Sequence, residues 1–257
     1  MQLAQYGMTW RTLLDTARDA EALGVDALFN WDHFFGPGAD SPEPHFECWT
    51  VLAAWAARTT SVELGPLVSA IGYRNPDLVA DMARTVDHIS GGRLILGVGA
   101  GFKSRDYQEY GYPFGSAADR IAELDAGLTR IRRRLGRLNP APVRRTPVLV
   151  GGSGERRTLR VVAHHADIWH TFAEGADFDR KSGVLDRYCR EAGRDPAEIE
   201  RSVLVAGDPA VVGDPLLALG ATLFVIHLPR SPDIDLDPLP AWLPWRDHHN
   251  ATRQTVA

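Results

Sequence analysis

Cysteine is nearly absent. Cys48 and Cys189 are the only two in 257 residues, too few for a disulfide framework and in keeping with a reducing compartment. Positive charge is not in excess either. Lys and Arg number 28 against 33 Asp and Glu, a net charge of −5, which offers a nucleic acid or an anionic membrane no bulk electrostatic support. No apolar run approaches the roughly 20 residues that cross a bilayer, and the opening stretch Met1-Gln2-Leu3-Ala4-Gln5-Tyr6 lacks the basic and then apolar regions of a secretion signal. No Gly-, Ser- or Pro-rich linker divides the middle of the chain, and no segment is of low complexity. These absences point to a cytoplasmic protein of one domain, residues 1–257, with neither a nucleic-acid nor a membrane partner. What is present, 44% hydrophobic and 24% charged residues, is ordinary for a globular chain with a sizeable core.

Strand-like and helical patterns alternate along the sequence. Thr9 can cap a helix whose apolar stripe is Trp10, Leu13, Leu14, Ala17 and Ala20, and Gly24 stops it. Residues 25–31 read as a buried strand, 46–58 as a helix and 62–70 as a strand. Asn75-Pro76 opens a helix that ends at Gly91-Gly92, and 93–98 form a strand. After an aromatic and polar loop, Ser116 and Asp119 form the two ends of a capping box before Ile121, Leu124, Leu128, Ile131 and Leu135. Strands at 147–150, 167–170, 199–206 and 222–226 follow, with helices at 156–164 and 178–192 and a short one near 215–219. With a short strand before Tyr6, the pattern is an α/β chain of eight units, a (β/α)8 TIM barrel. Either that first strand is short or the start given lies downstream of the natural one. Five of the 17 prolines fall between 229 and 244, so residues 239–245 are expected to pack irregularly within a proline-rich tail of about 229–257.

In such a barrel the chemistry sits at the C-terminal ends of the strands. Asp32-His33 follows the second strand, where a histidine can exchange a proton near neutral pH. Gly151-Gly152-Ser153-Gly154 joins strand five to a helix, and its backbone N–H groups can approach a phosphate there. It lacks the Lys-Ser/Thr ending of a nucleoside-triphosphate loop. Gly99-Ala100-Gly101 ends strand four and allows a flat ring to approach the wall. The arginines at 130, 132, 133, 134 and 137 belong to the C-terminal end of a helix, where cations complement the helix dipole, on the face away from the site. No His-x-His ends the first strand, and His164-His165 precedes strand six, so no metal site is expected.

The runs Asn30-Trp31-Asp32-His33-Phe34, Tyr73-Arg74-Asn75-Pro76, His88 to Gly101, Tyr110 to Gly115, Pro147 to Gly154 and Ala166 to His170, in this order and spacing, resemble the luciferase-like monooxygenase superfamily. Within it they resemble the bacterial oxidoreductases that use coenzyme F420, a phosphorylated 5-deazaflavin. The resemblance covers about residues 2–202. It implies a luciferase-like barrel that passes a hydride between the deazaflavin and a small organic substrate. It implies His33 and Asp32 as catalytic residues, and Ser69, Gly99, Ala100, Gly101, Gly151, Gly152, Ser153 and Gly154 as cofactor-binding. Trp31, Phe34 and Trp169 would form the substrate pocket, and Lys103, Arg105 and Tyr107 would lie along the path of the cofactor's acidic tail. It also implies a cis peptide behind the ring, expected at Pro66-Leu67. Rival expectations keep the barrel but bind FMN as a monooxygenase, or bind cofactor without turnover. A homodimer is left open. The long insertion of many relatives is lacking before Pro147, the seventh helix is a remnant, and nothing after His227 matches.

Overall fold

The computed structural model describes residues 1–37, 43–228 and 236–256. Helix α1 (Trp10–Leu23) starts at Thr9, whose side chain accepts from the Thr12 N–H, and stops at Gly24 in the left-handed region. Strand β1 (Ala27–Asn30) then runs parallel to β2 (Glu63–Pro66), with helix α2 (Cys48–Arg58) between them. A two-residue strand β3 (Ser69–Ala70) follows β2 and begins a parallel sheet that continues through β4 (Leu96–Gly99), β5 (Val148–Gly151), β6 (Ile168–Thr171), β7 (Glu200–Val205) and β8 (Leu223–Ile226). Helices α3 (Pro76–Ser90), α5 (Ala117–Leu135), α6 (Thr158–His165), α7 (Gly175–Glu191) and the short α8 (Asp214–Ala218) lie between successive strands. The expected capping box holds α5: Ser116 and Asp119 exchange side-chain and backbone hydrogen bonds.

Isolated bridges complete the ring. Gln2 pairs in parallel with both Phe29 and His227, and Leu64 pairs with Leu94. The first strand is therefore a single bridging residue, with the Gln2 N–H donating to Ile226 O at 3.1 Å and the Leu3 N–H to Phe29 O at 2.7 Å. The order is that of an eight-stranded α/β barrel whose third strand is broken into β2 and β3. The break is a cis peptide at Leu67–Val68, one residue beyond the expected Pro66-Leu67 bond. The β1 ladder explains the offset: it extends past Pro66, because the Leu67 N–H still donates to Asn30 O at 2.6 Å.

Neighbouring strands make room for this break. A Cβ at Gly97 would run into the Pro66 carbonyl oxygen, and one at Gly99 into the Val68 side chain. On the next strand a Cβ at Gly151 would lie 2.9 Å from Val68 Cγ1. Gly99 and Gly151 thus seat Val68, and the wall of the cavity here is Val68 together with these bare glycine backbones.

Two further expectations are corrected. The loop after strand four contains a helix, α4 (Ser104–Tyr110), which sequence reading missed because its seven residues are too short for a periodic stripe. The tail is not irregular: α9 (Leu239–Val256) is helical, while Pro229 and Pro232 lie outside the described residues. Pro238 and Pro240 fall at the start of α9, where proline is tolerated. Pro244 lies inside it but is exposed, as is Pro240, so the carbonyl deprived of its donor meets water. Buried Leu239 and Trp242 anchor the helix, with Trp242 and Trp245 against Phe224 at 5.8 and 5.0 Å. Among the described residues no helix is long and apolar enough to cross a membrane. The arginines of α5 meet acids of α3: Arg130 pairs with Asp77 at 2.5 Å and Arg134 with Asp81 at 3.0 Å.

Candidate active site

A cavity of about 690 Å3 opens at the C-terminal ends of the strands. Its floor is Leu67, Val68, Gly99 and Gly151, and its polar groups include His33 and His170. Its size and mostly apolar lining suit a small planar ligand.

His33 enters from the segment after β1. Its Nδ1 lies 2.7 Å from Asp106 Oδ2, and its side chain is 22% exposed, so it faces the cavity while anchored from behind. The buried Tyr73 hydroxyl donates to the same Asp106 oxygen at 2.7 Å. Burial alone would raise the Asp106 carboxyl, but the hydrogen bonds from His33 and Tyr73 and the Lys103 charge outweigh it and hold it below the ordinary carboxylate range. The carboxylate therefore accepts the Nδ1–H and leaves Nε2 as the ring nitrogen that can exchange a proton. Asp106 was not among the expected site residues; its only sequence signal was an acid in the aromatic segment that turned out to be α4.

Asp32 plays a different part. The Arg74 guanidinium donates to both its oxygens, at 2.6 and 2.9 Å, and the Ser69 hydroxyl adds a third bond at 2.7 Å. Burial raises the Asp32 carboxyl above its usual value, and Arg74 and Ser69 act against that. With three of its acceptor positions committed to Arg74 and Ser69, Asp32 holds the segment next to His33, and it also lines the cavity. Ser69, expected against a ring, is buried behind the wall between Asp32 and the Trp49 indole N–H at 3.2 Å.

Gly99, Ala100, Gly101, Gly151, Gly152 and Trp31 line the cavity. Trp31 stacks on Tyr6 at 4.9 Å and donates to His45 Nε2 at 3.2 Å. Burial, with the nearby Lys103 charge, pushes the His45 ring down to about 4. Two expected pocket residues lie elsewhere. Trp169 is fully buried, stacked on Phe178 at 5.9 Å, and its indole N–H holds the Gly152 carbonyl at 2.8 Å. The reason is strand alternation: on β6, Trp169 points to the helices and its neighbour His170 to the cavity. Phe34 packs outside the wall, stacked on Tyr110 at 4.0 Å and tilted against Tyr73 at 4.8 Å.

Ser153 and Gly154 lie beyond the lining in the turn before α6, and their backbone N–H groups meet no acceptor among the described residues. The exposed Arg156 and Arg157 share that turn. Lys103 lines the cavity and donates to Phe35 O at 2.6 Å, Arg105 lies over the Phe35 ring at 4.2 Å, and Tyr107 is fully buried.

A family description fits this arrangement and decides the class of the protein: the luciferase-like monooxygenase model matches residues 1–214. The chain belongs to the luciferase-like monooxygenase family. It is thus an enzyme of oxidoreductase type. An uncharacterized protein of Mycobacterium tuberculosis is 28% identical over 203 residues, 72% of this chain and 71% of that one. An F420-dependent glucose-6-phosphate dehydrogenase of Amycolatopsis mediterranei is 31% identical over 128 residues, 48% of this chain and 37% of that one. Among solved structures, an F420-dependent secondary alcohol dehydrogenase bound to an F420–acetone adduct superposes with TM-score 0.72 at 18% identity, over 93% of this chain and 82% of its own. An FMN-bound type II Baeyer–Villiger monooxygenase from a Pseudomonas putida plasmid gives TM-score 0.63 at 17% identity, over 79% of this luciferase-like chain and 64% of its own.

Proposed function

We propose that this luciferase-like enzyme is an F420-dependent oxidoreductase acting on a small organic substrate, with His33 handling the proton. The observation that carries the reading is the His33–Asp106–Tyr73 array beside a cavity with a glycine-rich turn at its edge. F420, when bound, supplies two-electron hydride chemistry at C5 of its deazaflavin ring.

The residues present fit such a group. Val68 and the bare backbones of Gly99 and Gly151 give a flat ring a wall to lie on. The N–H groups of Ser153 and Gly154, with Arg156 and Arg157 beside them, suit a phosphate. Asp106 keeps His33 in the tautomer whose Nε2 faces the substrate. Asp32, locked by Arg74, keeps the strand end that carries His33 in place. Phe102, which also lines the cavity, stands edge-on to His33 at 5.3 Å.

Titrating the protein with F420 and separately with FMN, following tryptophan fluorescence, tests the cofactor. Quenching by F420 at micromolar concentration is expected. Binding of FMN without any response to F420 overturns the reading in favour of an FMN monooxygenase, and binding of neither removes both cofactor assignments. On a substrate found by screening, His33→Ala is expected to lower kcat about 100-fold or more, and Asp106→Asn about 10-fold with the cofactor Kd unchanged. A His33→Ala variant at full rate removes the proton assignment.

A further inference from the structure

His170 faces the cavity from the side opposite His33. His33 follows the second strand of the ring and His170 sits on the sixth, so three strands lie between them either way round. In the β6–β7 ladder His170 pairs with Ser202, which puts both side chains on one face, and Ser202 Oγ lies 2.8 Å from His170 Nδ1. Ser202 is fully buried, and no other acceptor for its hydroxyl is found among the described residues. A buried hydroxyl keeps its proton in a hydrogen bond, so Ser202 donates to Nδ1. The proton of the neutral imidazole then resides on Nε2. That Nε2 has no partner, although the residue is only 2% exposed and lines the cavity. A donor built this way and left unmade points to a ligand that completes it.

We propose that His170 is a hydrogen-bond donor that orients the cavity's ligand by its carbonyl oxygen, and that Ser202 is the residue that positions it. A neutral donor in apolar surroundings that include Leu67, Val68 and Leu204 matches a neutral acceptor; a carboxylate or phosphate would need a cation there. Phe172, 71% exposed, stands edge-on to the imidazole at 5.6 Å and lines the same cavity. The carbonyl is either that of the cofactor's ring or that of an aldehyde or ketone substrate. The inference deepens the functional reading and rests on it in one respect, that this cavity holds the ligand.

The test is ring-nitrogen NMR on histidine-labelled protein near pH 7, with His170→Phe assigning the signal. The free protein is expected to show His170 as the Nε2–H tautomer. F420, FMN and cyclohexanone are then added in turn, and at least one is expected to shift the Nε2 resonance. For that probe, His170→Phe is expected to weaken binding about 10-fold and Ser202→Ala about 5-fold. A shift with F420 or FMN alone assigns the carbonyl to the ring, and one with cyclohexanone alone assigns it to the substrate. The Nδ1–H tautomer in the free protein, or an Nε2 resonance unmoved by all three probes, overturns the inference, even where the variants fold poorly. Cyclohexanone shifting Nε2 while neither cofactor binds upholds the inference and removes the functional reading.

Discussion

His170 and His45 are both kept neutral by burial, and this couples stability to pH in a defined direction. Burial pushes the His170 ring down to about 3 and the His45 ring down to about 4. In the unfolded chain both return to about 6.5, so between that value and the folded ones the unfolded state binds more protons and stability rises with pH. The native state is therefore at full advantage above about pH 6.5 and loses it as the solution is acidified. The loss from His170 approaches 1.4 kcal/mol per pH unit at most, roughly, with a smaller share from the less buried His45. Urea denaturation at about pH 7.5 and about pH 5 measures it, and His170→Phe is expected to flatten the difference. Equal slopes in the two proteins contradict the assignment. At this scale His33, Trp31 and the glycines of strands four and five were legible because strand ends mark the mouth of a barrel. Asp106, Arg74 and Ser202 as partners were not. Each reaches its histidine or carboxylate across tens of residues, and no local spacing encodes such a meeting.

Among the elements, the broken third strand is the most demanding. A Cβ at Gly97 would occupy the position of the Pro66 carbonyl oxygen, a backbone atom that cannot rotate away. Gly97→Ala is expected to destabilise the protein by about 1–3 kcal/mol through overpacking, whereas Gly183→Ala, in α7 with no atom near its Cβ, is expected to be neutral or stabilising. Paired thermal melts decide, and similar melting temperatures would contradict the close approach. Periodicity gave α1, α3 and α5 with their caps, because each buries one stripe and ends at a glycine. The same method gave α9 as irregular, since proline content speaks against a helix unless the prolines fall at its start or on its solvent side. Here burial of Leu239 and Trp242 decides the outcome, and burial of a tail against the barrel is a tertiary fact.

For the whole molecule, the ring is held between β8 and β1 by the short segment Met1 to Leu3: Gln2 donates to Ile226 O, Leu3 donates to Phe29 O, and Phe29 donates to Met1 O. Gln2 and His227 also line the cavity. A bound ligand therefore bridges the thinnest joint in the barrel, and hydrogen exchange at Gln2, Leu3 and Phe29 is expected to slow on ligand binding more than exchange in the β4–β5 ladder. Uniform slowing would separate the site from the joint. Val68 has a wider consequence. Gly99 and Gly151, on two other strands, give up their side chains so that one valine can sit at the back of the cavity beside Leu67, which makes the depth of the pocket a property of these two neighbouring positions. Substitutions on strands four and five cannot enlarge the pocket, because no side chain remains there to trim. A change of ligand size at the back falls to Val68 and Leu67, and the glycines of the strands beside them are already at their minimum.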